Sequence, residues 1–126
     1  MIVDSSALVA ILKAEPEASS FARALEESSH TSISAGTLIE TGIVVGRTRQ
    51  EDLDELLRAA SVEVVAVDAR HAAAARDAWY RYGRGSGSAA RLNFGDCFAY
   101  AAARLAGEPL LFKGEDFTHT DVTRAV

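Results

Sequence analysis

The chain opens on Met1-Ile-Val-Asp4-Ser-Ser-Ala-Leu8-Val-Ala-Ile-Leu12, and this stretch restricts the available folds more than any other. Ile2 and Val3 are β-branched and apolar, as in a buried strand. Leu8, Ile11 and Leu12 recur at helical spacing, so the hydrophobic period changes just after Asp4. Ser5 or Ser6 is expected to cap the new helix. A strand feeding directly into a helix is the first half of a βαβ unit. In open α/β sheets the crevice at the carboxyl ends of the strands is where ligands bind, and Asp4 ends such a strand.

The rest of the chain repeats the alternation. Short strands are expected at 31–34, 62–67 and 109–113, the run Val62-Glu-Val-Val-Ala-Val67 being the clearest. A helix restarts at Glu15-Pro16, with Pro16 at its first position and Ala18, Phe21, Ala22 and Leu25 on one face. Ser34 caps a third helix whose inward face holds Leu38, Gly42 and Val45. A fourth is built on Leu53, Leu56, Leu57 and Ala60, with Glu51, Asp52, Asp54 and Glu55 on a solvated face. Asp68 caps a helix whose inward face runs through Ala72, Ala75, Trp79 and Tyr82. A flexible Gly/Ser loop from Gly83 to Ser88 follows. Asn93 caps the last helix, which Gly107 and Pro109 stop. The residues beyond Phe117 carry no clear pattern. Near-continuous apolar strands separated by helices predict a single α/β domain over 1–126, a three-layer α/β/α arrangement with a short central parallel sheet flanked by helices.

The formal net charge of −5, from 13 Lys and Arg against 18 Asp and Glu, argues against binding nucleic acid through bulk positive charge. An acidic chain can still act on nucleic acid if some of its carboxylates hold cations. A lone cysteine, Cys97, excludes an internal disulfide and fits a reducing compartment. No basic stretch followed by an apolar run resembles a signal peptide, and no apolar run reaches membrane-spanning length. A cytoplasmic protein that does not associate with membranes is the expectation.

Four carboxylates can meet in the crevice. Asp4 ends the first strand, Glu40 lies early in the helix after the second, Asp96 begins the last helix, and Asp116 follows the last strand. A parallel sheet brings such positions to one edge. Oxygen-only donors suit Mg²⁺ or Mn²⁺ rather than zinc, and His30, His71 and His119 show no zinc-type spacing with Cys97. Singly, each acid has an ordinary structural role open to it: Asp4 as a cap, Asp96 in the first turn of a helix, Asp116 in a turn. Glu40, set among Leu38, Ile39, Ile43 and Val44, is the hardest to explain that way, because an unpaired carboxylate in apolar surroundings is costly. Converging carboxylates also repel one another unless a cation is present.

Four segments together resemble the PIN-domain nucleases, and within them the VapC-type toxins of bacterial toxin–antitoxin pairs. They are Ile2-Val-Asp4-Ser-Ser-Ala-Leu8, Ser34-Ala-Gly-Thr-Leu-Ile-Glu40, Asn93-Phe-Gly-Asp96-Cys-Phe-Ala-Tyr100 and Pro109-Leu-Leu-Phe-Lys-Gly-Glu-Asp116-Phe117. Each is modest alone, but the order and spacing of all four are specific. The resemblance implies that Asp4, Glu40, Asp96 and Asp116 form an acidic metal-binding and catalytic quartet, with Glu115 as the alternative to Asp116. It also implies that Ser6 supports the first aspartate from behind. It further implies a Mg²⁺-dependent endoribonuclease, with Mn²⁺ able to substitute, that acts as a toxin. A cognate VapB-type antitoxin protein would neutralise it, and the chain would form a homodimer.

RNA contact needs local positive charge, for which Lys13, Arg47, Arg49, Arg81, Arg84 and Arg91 are candidates. The loop between Arg84 and Arg91 lets those two reach a phosphate backbone. Trp79, Tyr80 and Tyr82 can stack on bases, although Trp79 and Tyr82 also fit the core or a dimer interface. Three other readings compete, of which a haloacid-dehalogenase-like phosphatase would want a second aspartate two residues after Asp4, where Ser6 stands. A phosphoacceptor receiver domain would use Asp68, Lys113 and Asp4 but leaves Glu40 and Asp96 without a role. A catalytically silent protein-interaction module would have no use for the acidic set.

Overall fold

The computed structural model describes all 126 residues. Four short strands, β1 (Ile2–Val3), β2 (Ser32–Ser34), β3 (Glu63–Val65) and β4 (Leu110–Leu111), form one all-parallel sheet in the order β3-β2-β1-β4. Six helices surround it: α1 (Ser5–Leu12), α2 (Ala18–Glu27), α3 (Ala35–Val45), α4 (Gln50–Ala59), α5 (Ala69–Tyr82) and α6 (Phe94–Ala106).

The pleat sorts the first strand between two cores. Ile2 pairs with Leu110, and both face a cluster built with Ala78 of α5 and with Ala99, Tyr100 and Ala103 of α6. Val3 pairs with Leu111, and both face the opposite cluster, with Leu8 of α1, Phe21 and Leu25 of α2, and Leu53 of α4. Alternate side chains of a strand point to opposite faces, so two residues suffice to join both layers. Asp4, next in line, reaches the strand's carboxyl end, where its amide donates to the Leu111 carbonyl at 2.9 Å.

Several expectations are corrected. Asp4 itself, not Ser5 or Ser6, caps α1, because its extended backbone lets its carboxylate accept from the Ser6 amide. α2 begins at Ala18, leaving Pro16 in the preceding turn. The fully buried side chains of α3 are Thr37 and Thr41, whereas Ile39, Ile43 and Val44 are exposed and Leu38 and Val45 are only partly covered. The apolar run around Glu40 therefore does not bury it: α3 lies across the end of the sheet and turns part of that run to solvent. β3 is shorter than its apolar run and forms an edge, with Val64 exposed. Trp79 is outside the core at 40% exposure, while Tyr82 packs on Tyr100 with ring centroids 5.7 Å apart. The patternless C-terminus adds a parallel bridge between Leu110 and Arg124, through Leu110 N–H to Thr123 O and Ala125 N–H to Leu110 O.

Candidate active site

The carboxyl ends of β1 and β4 are tied together by one hydroxyl. Ser6 Oγ donates to Asp4 Oδ2 at 2.6 Å and accepts from the Lys113 amide at 3.0 Å, while the Ser6 amide donates to the same carboxylate oxygen at 3.0 Å. Asp4 is 3% exposed. Burial lifts its carboxyl above the ordinary value of 3.8, against the pull of the Ser6 bonds, and the nearby charge of Glu40 raises it further.

α3 and α6 deliver the next two acids. Ser34 caps α3, and Glu40, the sixth residue of that helix, accepts through Oε1 from Ser5 Oγ at 2.9 Å. Asn93 and Asp96 form a reciprocal capping box at the start of α6: Asn93 Oδ1 accepts from the Asp96 amide and Asp96 Oδ2 from the Asn93 amide, both at 2.8 Å. Asp96 is 9% exposed. Its carboxyl is pushed up to about 7, chiefly by burial and then by the charges of Asp4, Glu40 and Asp116, against the Asn93 amide. All three predicted companions thus act on Asp96, although they come from separate chain segments.

Asp116 opens a short 3₁₀ turn, Asp116–His119, and is exposed. Of the two neighbouring acids it is the one whose charge bears on Asp96; the Glu115 carboxylate instead lies 3.3 Å from the Thr118 hydroxyl. No three His, Cys, Asp or Glu side chains stand within ligating range of a single point. Asp4 and Asp96 are both occupied with helix caps, so each ordinary role foreseen for them is real, and each also faces the same edge.

Some neighbours of the site gave no advance signal. Ser5, overshadowed by Ser6, holds Glu40. Lys113 extends from β4 to Glu15 at 2.5 Å and Glu17 at 3.2 Å, which pins the α1–α2 turn to the segment leading to Asp116. A lysine after the last strand followed by glycine was the only trace of this in the sequence. Among the basic candidates, Arg49 is engaged by Asp52 and the Leu12 carbonyl, and Arg81 by Asp77, Asp121 and Tyr82. Lys13, Arg47, Arg84 and Arg91 are exposed without an ion pair. Asp68 is an exposed cap of α5 and Lys113 is bound to glutamates, so the pair a receiver domain would need is not assembled.

Beside the carboxylates runs an apolar surface. One groove is lined by Val67, Trp79, Tyr80 and Phe94, and a second by Ile39, Ile43 and Glu40; Phe94 and Phe98 border both. Ile43, Tyr80 and Phe94 are each about three-quarters exposed.

Residues 1–122 match the family model of the PIN domain, and the chain belongs to that family. Ribonuclease VapC30 of Mycobacterium tuberculosis is 46% identical over 126 residues, spanning 97% of this chain and 95% of the relative. Ribonuclease VapC of Mycolicibacterium smegmatis is 48% identical over 126 residues, spanning 97% of both. Among solved structures, a toxin–antitoxin complex from Klebsiella pneumoniae superposes with a TM-score of 0.71 at 20% identity, covering 99% of this chain and 97% of that one. The Mycobacterium tuberculosis toxin VapC20, described as cleaving the sarcin–ricin loop, superposes with a TM-score of 0.69 at 19% identity, covering 97% and 95%. At such identities these two likenesses concern the fold.

Proposed function

We propose that the chain is a metal-dependent endoribonuclease that hydrolyses RNA phosphodiester bonds and serves as the toxin of a toxin–antitoxin pair. The observation that carries this reading is that Asp4, Glu40 and Asp116, from three other chain segments, all bear by their charge on Asp96, whose carboxyl burial above all lifts to about 7. The curated relatives are named ribonucleases, which supplies the substrate class.

The four carboxylates fit a hard divalent cation by their chemistry: every donor is oxygen, and the repulsion and burial that raise Asp4 and Asp96 are what a positive charge relieves. When bound there, one or two Mg²⁺ or Mn²⁺ ions supply Lewis acidity and a water nucleophile at neutral pH. The protein's own residues do the positioning. Ser6 fixes Asp4 against β4, Ser5 holds one oxygen of Glu40, and the Asn93 amide holds Asp96. Glu40, half-buried and at the rim, would hold the cation together with the aspartates, and the unpaired Arg84 and Arg91 would neutralise phosphates of the strand being cut.

No helix is long and apolar enough to cross a membrane, and with a single buried, free Cys97 the chain is read as cytoplasmic. The exposed Ile39, Ile43, Tyr80 and Phe94 support protein partners, a second copy of the chain and a VapB-type antitoxin, because apolar surface of this extent beside a charged site is rarely left in water. The test is cleavage of a mixed cellular RNA pool by the purified chain, with and without Mg²⁺ or Mn²⁺, beside Asp96→Asn and Asp4→Asn. Cuts that need metal and vanish in both variants are expected. Equal silence, or equal cutting in EDTA, would refute the reading.

A further inference from the structure

A glycine stands at Gly95, in the first turn of α6 and beside Asp96, although glycine is the poorest helix former after proline. Its backbone does not require it, since Gly95 is not among the residues with positive φ. Space does. A Cβ built on Gly95 would lie 1.5 Å from Oε2 of Glu40, 2.4 Å from its Cδ and 3.0 Å from its Oε1. These are the three atoms nearest to that point, so the Glu40 carboxylate occupies the place of the missing side chain.

The opposite side of this seat is Ser5, which donates to Oε1. The glutamate is therefore held between a hydroxyl from α1 and a notch in α6, at the helix end whose dipole favours an anion. The same pair of helices has a second notch of a different kind. A Cβ on Gly36 of α3 would lie 2.5 Å from Cγ and Cδ1 of the Phe98 ring. The Phe98 ring is bulky and packed edge-on against Phe94, so moving it gives up apolar contact, whereas the end of a glutamate at the rim can swing into solvent.

We propose that Gly95 is a positioning residue for Glu40: the absent side chain forms the seat that keeps the Glu40 carboxylate beside Asp96. Adding one methyl group expels that carboxylate and leaves the fold standing. The inference rests on the reading of Glu40 as one of the cation-holding acids.

The test measures Mn²⁺ affinity of the full-length chain by titration, following free Mn²⁺ by paramagnetic resonance, together with thermal melting in EDTA. Four proteins are compared: wild type, Gly95→Ala, Glu40→Asp and the double variant. Gly95→Ala should melt no lower than wild type in EDTA yet bind Mn²⁺ about 10-fold more weakly or worse, the scale of losses when a ligand's support is removed. Glu40→Asp withdraws the carboxylate from the notch by one methylene. In that background Gly95→Ala should cost no further affinity, because the methyl group then meets nothing. Gly36→Ala, by contrast, should lower the melting temperature.

If Gly95→Ala binds Mn²⁺ as wild type does, or weakens Glu40→Asp by the same factor as wild type, the inference is overturned while the functional reading stands. A Gly95→Ala protein that melts well below wild type would overturn it too, since the notch would then serve helix packing. Wild-type protein that binds no Mn²⁺ would overturn the functional reading, and this inference with it.

Discussion

Replacing Asp96 with asparagine should make the metal-free protein more stable at pH 8 even as it removes an acid from the site. The reasoning starts from the carboxyl held at about 7 in the folded chain against an ordinary 3.8. For a carboxyl raised by folding, the protonated form is the favoured one. Stability is therefore highest at low pH and falls as pH rises from about 4 to about 7, where the unfolded chain ionises and the folded one resists. At about 1.36 kcal/mol per pH unit, the gap sets a ceiling of about 4 kcal/mol on the penalty at pH 8. Relaxation around a real ionised group brings this down, and about 2 kcal/mol is a reasonable expectation. For a chain of this size that corresponds to roughly 6–10 °C in melting temperature. Asparagine retains an oxygen to accept from the Asn93 amide, so the cap survives the change. The assay is thermal melting in EDTA at pH 5 and pH 8, for wild type and Asp96→Asn. Other carboxylates titrate over this range, so the quantity to follow is the difference between the two proteins, which should widen toward pH 8. Mn²⁺ should then stabilise wild type and not the variant. A variant no more stable than wild type at pH 8, or a difference independent of pH, would show that burial and repulsion at Asp96 are not as described.

Three further outcomes can be checked. Ser6→Ala removes the only link between Asp4 and the Lys113 amide and should cost about 1–3 kcal/mol in denaturant unfolding, the range for a buried group left without its partner. Arg84→Ala with Arg91→Ala should leave melting unchanged but flatten the salt dependence of RNA binding, measured as log affinity against log salt, by up to about 2 units of slope. Phe94→Ser, which alters a side chain 76% exposed in the chain alone, should leave the melt of a dilute sample within about 0.5 kcal/mol of wild type. Light scattering at high concentration should show it less associated; unchanged association would mean this face is not the contact.

The α/β alternation was legible because a parallel sheet buried on both faces demands apolar strands, and Ile2-Val3 and Leu110-Leu111 are almost nothing else. The same rule misled at Val62-Glu-Val-Val-Ala-Val67, where an apolar run became an exposed edge, and at Ile39, Ile43 and Val44. Apolar character records that a surface is to be covered, but not whether the chain itself covers it. The acids were legible as positions on elements: Asp4 at a strand end, Asp96 three residues past a cap. Their mutual distances were not, because these depend on how α3 lies across α6. That crossing brings the Phe98 ring against Gly36, and the place of the Glu40 carboxylate depends on Gly95, residues whose contribution is the absence of a side chain. The Lys113 contacts with Glu15 and Glu17 were equally hidden, since nothing in the chain marks two residues about a hundred positions apart as partners.

The sheet's order has a consequence for how the chain is made. β1 is synthesised before the other three strands, yet it is an interior strand: Ile2 and Asp4 donate their amides to the carbonyls of Pro109 and Leu111, more than a hundred residues later. Until the last part of the chain is available, one side of β1 has no partner, and Asp4 has neither Asp96 nor Asp116 nearby. Closing so long a loop is entropically costly, and contacts of this separation mark domains that fold slowly. A nascent chain therefore carries three of its four acids for some time without the edge that gathers them, and any activity that depends on the set waits for the final strand and for Asp116 beyond it.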